Sequence, residues 1–226
     1  MSVPAAPHAP APRVRLRFSK LGKVRFTSHR DVARIWERAL RRAGIPIAYT
    51  EGFSPRPKLS FGLALSTGHE SLGEYLDVAV REAHDLVAVE RLPALLAPVL
   101  PAGIEVQSAV ALPPGADSLQ QAVTSCTWHI EVGDVAPPDV AIGVSRALAA
   151  PELLLTRERK GHTVTDDVRP AILDLRVLGR VTDPVAPLAQ RSTGIGTALE
   201  AELATQPRAL RPAELIAAID PTWLVA

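Results

Sequence analysis

Five arginines with helical spacing are the residues of this sequence best suited to binding an anion. The helix that carries them is predicted to begin at Ser28 and Asp31, which form an S-x-x-D capping pattern, and Gly44 predicts its end. On a helical wheel they cluster opposite an apolar side that contains Trp36. Guanidinium groups about one turn apart can pair with successive phosphates. We call these residues the arginine stripe: Arg30, Arg34, Arg38, Arg41 and Arg42.

A proline-punctuated loop at residues 52–58 is the second candidate for contact with an anion. Its glycine allows close approach of the backbone, and its prolines stiffen the chain. Arg56 and Lys58 supply positive charge, and the ring of Phe53 or Tyr49 could stack on an unpaired base. Alternatively, either ring fills the core beneath the loop.

His29, at the predicted beginning of the helix, supports a different hypothesis. Its imidazole could act as a general base on a ribose 2′-hydroxyl, with Lys58 or Arg56 stabilising the charge that develops on the phosphate. This arrangement would make the protein a metal-independent endoribonuclease. Alternatively, His29 caps the helix or contacts phosphate without catalysing a reaction.

Other polar residues favour structural roles. Asp166 and Asp167 suggest a magnesium site, but adjacent carboxylates on an extended segment point in opposite directions, which favours turn or ion-pair use. Gly194 and Gly196 lack the lysine of a phosphate-binding loop. Cys126 is the only cysteine, and its apolar surroundings favour a buried structural thiol. The chain therefore supplies neither an internal disulfide nor the cysteines of an iron–sulfur site.

The charge of the chain is distributed unevenly. Residues 1–60 contain 13 Lys or Arg and 3 Asp or Glu, whereas the remainder contains 12 basic and 21 acidic side chains. This asymmetry predicts an anionic partner for the basic end. No apolar run approaches the ~20 residues of a membrane span, and the first residues lack a secretory pattern. We therefore expect a soluble, cytoplasmic protein without membrane contact.

Strand patterns surround the predicted helix. Val14, Leu16 and Phe18 alternate with three arginines, which predicts a half-buried strand with one basic face. Residues 23–26 resume the alternation after a turn. We expect this basic face, the arginine stripe and the loop at 52–58 to form one continuous cationic surface. Further strands are predicted at residues 59–65, 74–80 and 104–112, and a second helix at 84–96.

The resulting βαββαβ order predicts an α+β fold of the ferredoxin-like type. The second half begins in a similar way, so we expect a second, divergent ferredoxin-like unit. Its elements are predicted as strands at 127–132, 153–159, 171–178 and 184–190 and helices at 138–149 and 211–219. The predicted organisation is a disordered tail at 1–12, a basic ferredoxin-like domain at 13–112, a linker at 113–122 and the second domain at 123–226.

Three segments carry a family resemblance: residues 23–32 (KVRFTSHRDV), 37–46 (ERALRRAGIP) and 49–61 (YTEGFSPRPKLSF). They resemble the radical-SAM-associated domain-of-unknown-function family, whose members occur as separate proteins or fused to a radical-SAM protein. Weaker similarity continues through residues 166–170 and 211–215. The resemblance implies a radical-SAM partner that holds the iron–sulfur cluster and S-adenosylmethionine, with no cofactor on this chain.

A looser similarity connects the chain to the RAMP-type proteins that bind and cut CRISPR transcripts, which also use ferredoxin-like units with a basic first helix. Taken together, these features predict an RNA-binding accessory protein that presents tRNA or ribosomal RNA to the radical-SAM enzyme. One alternative is the endoribonuclease that uses His29, and another is a docking module for the enzyme that does not contact RNA. The residues predicted to bind RNA are Arg30, Arg34, Arg38, Arg41, Arg56, Lys58, Phe53 and Tyr49.

Overall fold

In the computed structural model of this protein, the chain divides into two units at the junction of Ala122 and Val123. Both units combine an antiparallel sheet with helices, so the fold belongs to the α+β class. None of the helices within the described ranges is long and apolar enough to cross a membrane. The structure describes residues 11–63, 65–81, 88–159, 161–181 and 196–225.

The first unit contains one four-stranded sheet. The strands lie in the order β2-β3-β1-β4, and every neighbouring pair is antiparallel. Its elements are β1 (Arg13–Lys20), α1 (His29–Arg42), β2 (Leu59–Phe61), β3 (Ser71–Ala79), α2 (Leu92–Leu96), β4 (Ile104–Leu112) and α3 (Leu119–Ala122).

β1 provides the centre of the first hydrophobic core. Its residues Val14, Leu16 and Phe18 are buried, as their alternation predicts. α1 covers this face of the sheet, and the fully buried ring of Trp36 packs edge-on against Phe18 with 4.8 Å between ring centroids. Because side chains alternate along a strand, the arginines of β1 point to the opposite face of the sheet.

The chain departs from its predicted course directly after β1. Residues 23–26 do not form a strand, because Gly22–Phe26 is a 3-10 helical turn. Gly22 has a φ of 66°, a conformation that glycine adopts without steric cost, and it turns the backbone away from β1. The backbone N–H of Leu21 also donates to the carbonyl of Gly103 at 2.8 Å. The prediction of a strand at 23–26 is therefore wrong.

Two other elements are shorter than their sequence patterns indicate. β2 ends at Phe61 and does not continue to residue 65. α2 spans only Leu92–Leu96 and follows a 3-10 turn at Val89–Arg91. Pro93 accounts for the short helix, because proline fits the first turn of a helix but not its interior. Residues 82–87, where the predicted helix begins, lie outside the described residues.

Residues 113–122, for which the sequence predicts a linker, lie along the outer face of the first sheet. Leu119 is buried there, and the side-chain amide of Gln120 donates to the carbonyl of Phe61 at 3.0 Å. Of the predicted tail, the structure describes only Ala11 and Pro12, and the carbonyl of Pro12 accepts a hydrogen bond from Val80 at 2.9 Å.

The second unit contains a four-stranded antiparallel sheet in the order β10-β5-β9-β8 and a separate hairpin of β6 and β7. The strand predicted at residues 184–190 lies outside the described residues. The elements of this unit are β5 (Ser125–Gly133), α4 (Pro137–Ala149), β6 (Leu154–Arg159), β7 (His162–Asp167), β8 (Ile172–Arg180), β9 (Gly196–Ala204), α5 (Pro212–Ile219) and β10 (Leu224–Val225).

The sheets of the two units share one strand order. Each sheet has four strands when the separate β6–β7 hairpin is set aside. If the strands of each sheet are numbered in chain order, the first strand lies between the third and the fourth in both sheets. The inner face of the second sheet also carries its own core, which includes Ile130, Val132, Leu199 and Leu215. Each unit therefore has the hydrophobic core that an independent domain requires.

Candidate nucleic-acid interface

α1 begins where the capping pattern predicts. The Ser28 hydroxyl accepts a hydrogen bond from the backbone N–H of Asp31 at 3.2 Å and donates to the Asp31 carboxylate at 2.7 Å. The bond from Ser28, followed by one from Arg34, lowers the pKa of Asp31. An ionised carboxylate in the first turn complements the positive end of the helix dipole. This capping fixes where α1 begins and thus which residues share a side.

The arginine stripe lies on the solvent side of α1. Trp36 and Leu40 are buried against the sheet, whereas all five arginines are exposed. Arg34 lies 3.1 Å from Asp31, but an ion pair at such an exposed position contributes little. No carboxylate in the described part of the chain forms an ion pair with the remaining four, which are Arg30, Arg38, Arg41 and Arg42.

Residues 49–57 form a small hairpin with an exposed tip. Tyr49 pairs with Pro57 in an isolated bridge, and the N–H of Thr50 donates to the carbonyl of Arg56 at 2.8 Å. The N–H of Arg56 donates in turn to the Thr50 hydroxyl at 3.0 Å. Phe53 is fully exposed at the tip, so its ring does not fill the core. Burial of a phenylalanine side chain normally stabilises a protein. The exposed ring of Phe53 does not contribute in this way, and its faces are available to a partner.

The hairpin begins at the same end of the sheet as the last turn of α1. α1 ends at Arg42, and Ile47 already pairs with Val80 at the end of β3. Only four residues connect the helix to this bridge, and each spans at most ~3.6 Å. Tyr49 is 39% exposed, and Arg56 is also exposed. The C-terminal part of the arginine stripe and the hairpin therefore lie at one end of the first unit.

The cationic groups do not form the single continuous surface that the sequence predicts. Arg15 donates two hydrogen bonds to Asp77, at 2.7 and 2.9 Å, and Arg13 lies 3.4 Å from the same carboxylate. These groups lie on the sheet face opposite α1. Lys58 precedes inward-facing Leu59, so it also points to that opposite face. The prediction of one surface is wrong because alternation in the strands separates these cations from the arginine stripe.

His29 is exposed at the beginning of α1, and its ring packs edge-on against Phe61 with 5.1 Å between ring centroids. Lys58 lies three residues before Phe61, about 10 Å along the strand, and points to the other face. Arg56 lies farther away, in the hairpin. The structure therefore does not bring His29 together with either cation that the endoribonuclease hypothesis requires.

Two charged residues inside the first unit are not identified by the sequence patterns described above. Lys20 is only 4% exposed, and its ammonium group lies 3.4 Å from the carbonyl oxygens of Arg25 and Thr27. Glu74 lies on β3 directly opposite Phe18, so it shares the inner face of the sheet with Lys20. Lys20 and Glu74 could be found in the sequence only as charged residues at strand positions where the alternation otherwise places apolar side chains on the inner face.

Lys20, Glu74 and His29 line one small cavity, which we call the Lys20–Glu74 pocket. Desolvation raises the pKa of Glu74 and lowers the pKa of Lys20. A hydrogen bond from Ser71 and the charge of Lys20 partly oppose the shift at Glu74. The cavity has a volume of about 20 Å³, enough for one water molecule. Its apolar walls are Phe18, Val32, Phe61, Leu63 and Leu65.

Candidate residues of the second unit have structural partners. The Asp166 carboxylate accepts a hydrogen bond from Arg157, whereas Asp167 accepts backbone bonds from Leu153 and Arg169 at 2.8 and 3.0 Å. Among the residues that the structure describes, no three His, Cys, Asp or Glu side chains are grouped to hold a metal ion. Cys126 is half-buried. Gly194 lies outside the described residues.

Comparison with known sequences gives a family but no activity. The sequence model of a family described as "uncharacterized protein conserved in bacteria (DUF2344)" matches residues 13–212. The match spans both units, from the beginning of β1 to the first residue of α5. No curated protein matches the chain. Any function must therefore be inferred from the residues of this chain.

We expect Glu74→Gln to change the pH dependence of stability. The pKa of Glu74 is raised in the folded state, so its contribution to stability is fully present below the usual value of 4.5 and is lost as pH rises through the folded-state pKa. Glutamine does not titrate. Urea unfolding from about pH 4 to about pH 8 should show the wild type losing stability relative to the variant as pH rises. The exposed Glu105→Gln controls for net charge, and parallel curves for wild type and Glu74→Gln would contradict the expectation.

Proposed function

This chain belongs to the bacterial family of uncharacterized proteins whose model matches residues 13–212, and we propose that it is an RNA-binding accessory protein. In this proposal it presents tRNA or ribosomal RNA to a radical-SAM partner enzyme. The observation that carries the proposal is the exposed arginine stripe beside a hairpin whose Phe53 is fully exposed. Cationic groups for phosphates combined with an aromatic ring for a base are typical of single-stranded RNA recognition.

The arginine stripe suits a phosphate backbone. With a rise of ~1.5 Å per residue, Arg30, Arg34 and Arg38 are spaced about 6 Å apart along α1. A stacked strand advances ~3.4 Å per nucleotide, so successive arginines follow such a strand at about every second phosphate. Since these guanidinium groups are not all neutralised by carboxylates, their charge is available to RNA. Each phosphate contact releases counterions, which makes the binding sensitive to salt.

Phe53 adds a contact of a different kind. An aromatic ring stacks on any base, and such stacking contributes ~1–3 kcal/mol per base. Arg56 lies on the same hairpin and could contact the adjoining phosphate. Tyr49 lies at the base of the hairpin, where it is partly exposed. Lys58 faces the other side of the sheet, so we assign it a marginal contact.

A radical-SAM partner would supply the chemistry. Three cysteines normally hold the iron–sulfur cluster of such an enzyme, and this chain has only Cys126. In the proposal, the cluster and S-adenosylmethionine therefore belong to the partner. The role of this chain is to bind the RNA and orient it.

The proposed function includes a fold assignment. We assign both units to the ferredoxin-like class, which several RNA-binding modules use. The βαββαβ order of the main elements and the shared strand order support this assignment. The second unit diverges by the β6–β7 hairpin, which is inserted between α4 and β8.

Reversing the charge of the stripe should weaken RNA binding strongly. We expect the triple variant Arg34→Glu, Arg38→Glu and Arg41→Glu to bind a single-stranded RNA at least about tenfold more weakly at low salt. The magnitude of the negative slope of log affinity against log salt should also decrease by about 2, since each of the three lost phosphate contacts removes ~0.7. Filter binding across a salt series measures both quantities.

The matched control reverses three exposed arginines outside the stripe, Arg17, Arg91 and Arg180, and should lose less affinity. Unchanged RNA retention by the stripe variant would contradict the proposal. If a radical-SAM protein co-purifies with this chain after nuclease treatment and the wild type does not bind RNA, the chain is a docking module instead.

Phe53→Ala should weaken RNA binding without altering its salt dependence. Loss of one stacked ring is expected to lower affinity by about 5- to 150-fold, whereas the charge on the interface is unchanged. Because the ring is fully exposed, the melting temperature should not change. Phe53→Trp serves as the control, since it retains an aromatic face. Equal affinities of the wild type and the alanine variant in a fluorescence anisotropy titration would remove Phe53 from the interface.

A further inference from the structure

The Lys20–Glu74 pocket contains two charged residues at strand positions where the alternation places apolar side chains. Lys20 and Glu74 occupy the inner face of the sheet beside Phe18, where apolar side chains would pack without a desolvation cost. Replacing a buried charged pair with apolar residues is often neutral or stabilising. Perturbed titratable groups that line a cavity are therefore candidates for a function.

The size of the pocket limits what can enter it. A cavity of about 20 Å³ accommodates one water molecule, or one amino or keto group in its place. This space favours a single small polar group over a phosphate with its several oxygens. The ammonium of Lys20 is a hydrogen-bond donor, and an ionised Glu74 is an acceptor. Apolar walls beside this donor and acceptor suit the edge of a flat, aromatic ligand.

We propose that Lys20, Glu74 and His29 read one unpaired nucleobase of the RNA that binds along α1. This inference rests on the proposed RNA binding. One exocyclic group of the base enters the cavity, where a keto oxygen accepts a hydrogen bond from Lys20 or an amino N–H donates one to an ionised Glu74. His29 and Phe61, whose rings are in contact, border the body of the base.

The position of the pocket agrees with an RNA strand that follows the arginine stripe along α1. His29 is the first residue of α1, and the hairpin lies beyond the other end of the helix. The 14 residues of α1 extend for about 20 Å, which is the length of about six stacked nucleotides. A single strand can therefore place one base on Phe53 and another, about six nucleotides away, at the pocket. Arg30, at the start of the stripe, directly follows the pocket residue His29 in the sequence.

A purely structural role for Lys20 predicts a different behaviour. Its ammonium lies 3.4 Å from the carbonyls of Arg25 and Thr27, so Lys20 could simply tie down the 3-10 turn that precedes α1. Loss of such a tie would weaken binding of every RNA equally. Loss of base reading would remove a preference at one position of the RNA and leave the salt dependence intact.

The experiment measures the affinity of the full chain for a set of 12-nucleotide RNAs in which one position at a time carries each of the four bases. We expect the wild type to prefer one base at one position by at least about fivefold. The near-isosteric double variant Lys20→Met and Glu74→Gln should reduce that preference to less than about twofold and keep the salt slope. The control Lys23→Met and Glu105→Gln removes an exposed lysine and an exposed glutamate and should keep the preference.

A second variant covers the case in which the double variant does not fold. His29→Ala alters an exposed side chain, so it should fold and still lose most of the preference. If the wild type binds RNA but shows no base preference, or if His29→Ala and the folded double variant retain it, the base-reading inference is wrong while RNA binding stands. If the wild type does not bind RNA, the proposed function itself fails.

Discussion

The packing of Trp36 against Phe18 is the interaction on which the exposed surface of the first unit depends. The indole is fully buried, and it holds α1 against the sheet. In a helix, residues three or four positions apart share one side. The arginines of the stripe therefore lie together on the side opposite Trp36, where they face solvent. Rotation of α1 about its axis would expose the indole and bury guanidinium groups without partners, which is costly. One apolar contact thus stabilises the core and also determines where the arginine stripe lies.

The charge of the first unit is divided between two faces with different roles. On the outer face of the sheet, Asp77 is 2% exposed and binds both Arg13 and Arg15, so this charge is neutralised within the fold. On α1, only Arg34 has a carboxylate partner among the described residues. The excess positive charge of residues 1–60 is therefore most concentrated at α1 and the hairpin, while Arg17 and Lys58 are exposed elsewhere on the first unit.

Local patterns predict the elements that depend on local interactions. The limits of α1 follow from the Ser28 cap and from Gly44, and β4 spans the predicted residues 104–112. The 3-10 turn at Gly22–Phe26 is not predictable in this way, because it depends on the φ of Gly22 and on a bond between Leu21 and Gly103, which are distant in sequence. Tertiary contacts override the strand-like alternation there.

The residues of the proposed interface likewise divide into those that local sequence patterns predict and those that depend on tertiary contacts. The exposure of the arginine stripe could be predicted from helical periodicity alone. The separation of Lys58 and the β1 arginines from the stripe depends on which sheet face α1 covers, and this is a tertiary property. The Lys20–Glu74 pocket brings together two charged residues that are more than fifty positions apart in the sequence, so no local pattern identifies it. The exposed ring of Phe53 is also a tertiary result, since the sequence is equally compatible with a buried ring.

The most direct test of the central claim is to map where RNA touches the protein in cells. Ultraviolet crosslinking, followed by mass spectrometry of the peptides that carry a nucleotide, locates these contacts even when the bound RNA is unidentified. The proposed interface predicts crosslinked peptides within residues 29–61, which contain α1 and the hairpin. Crosslinks confined to residues 123–226, or the complete absence of crosslinked RNA, would contradict it.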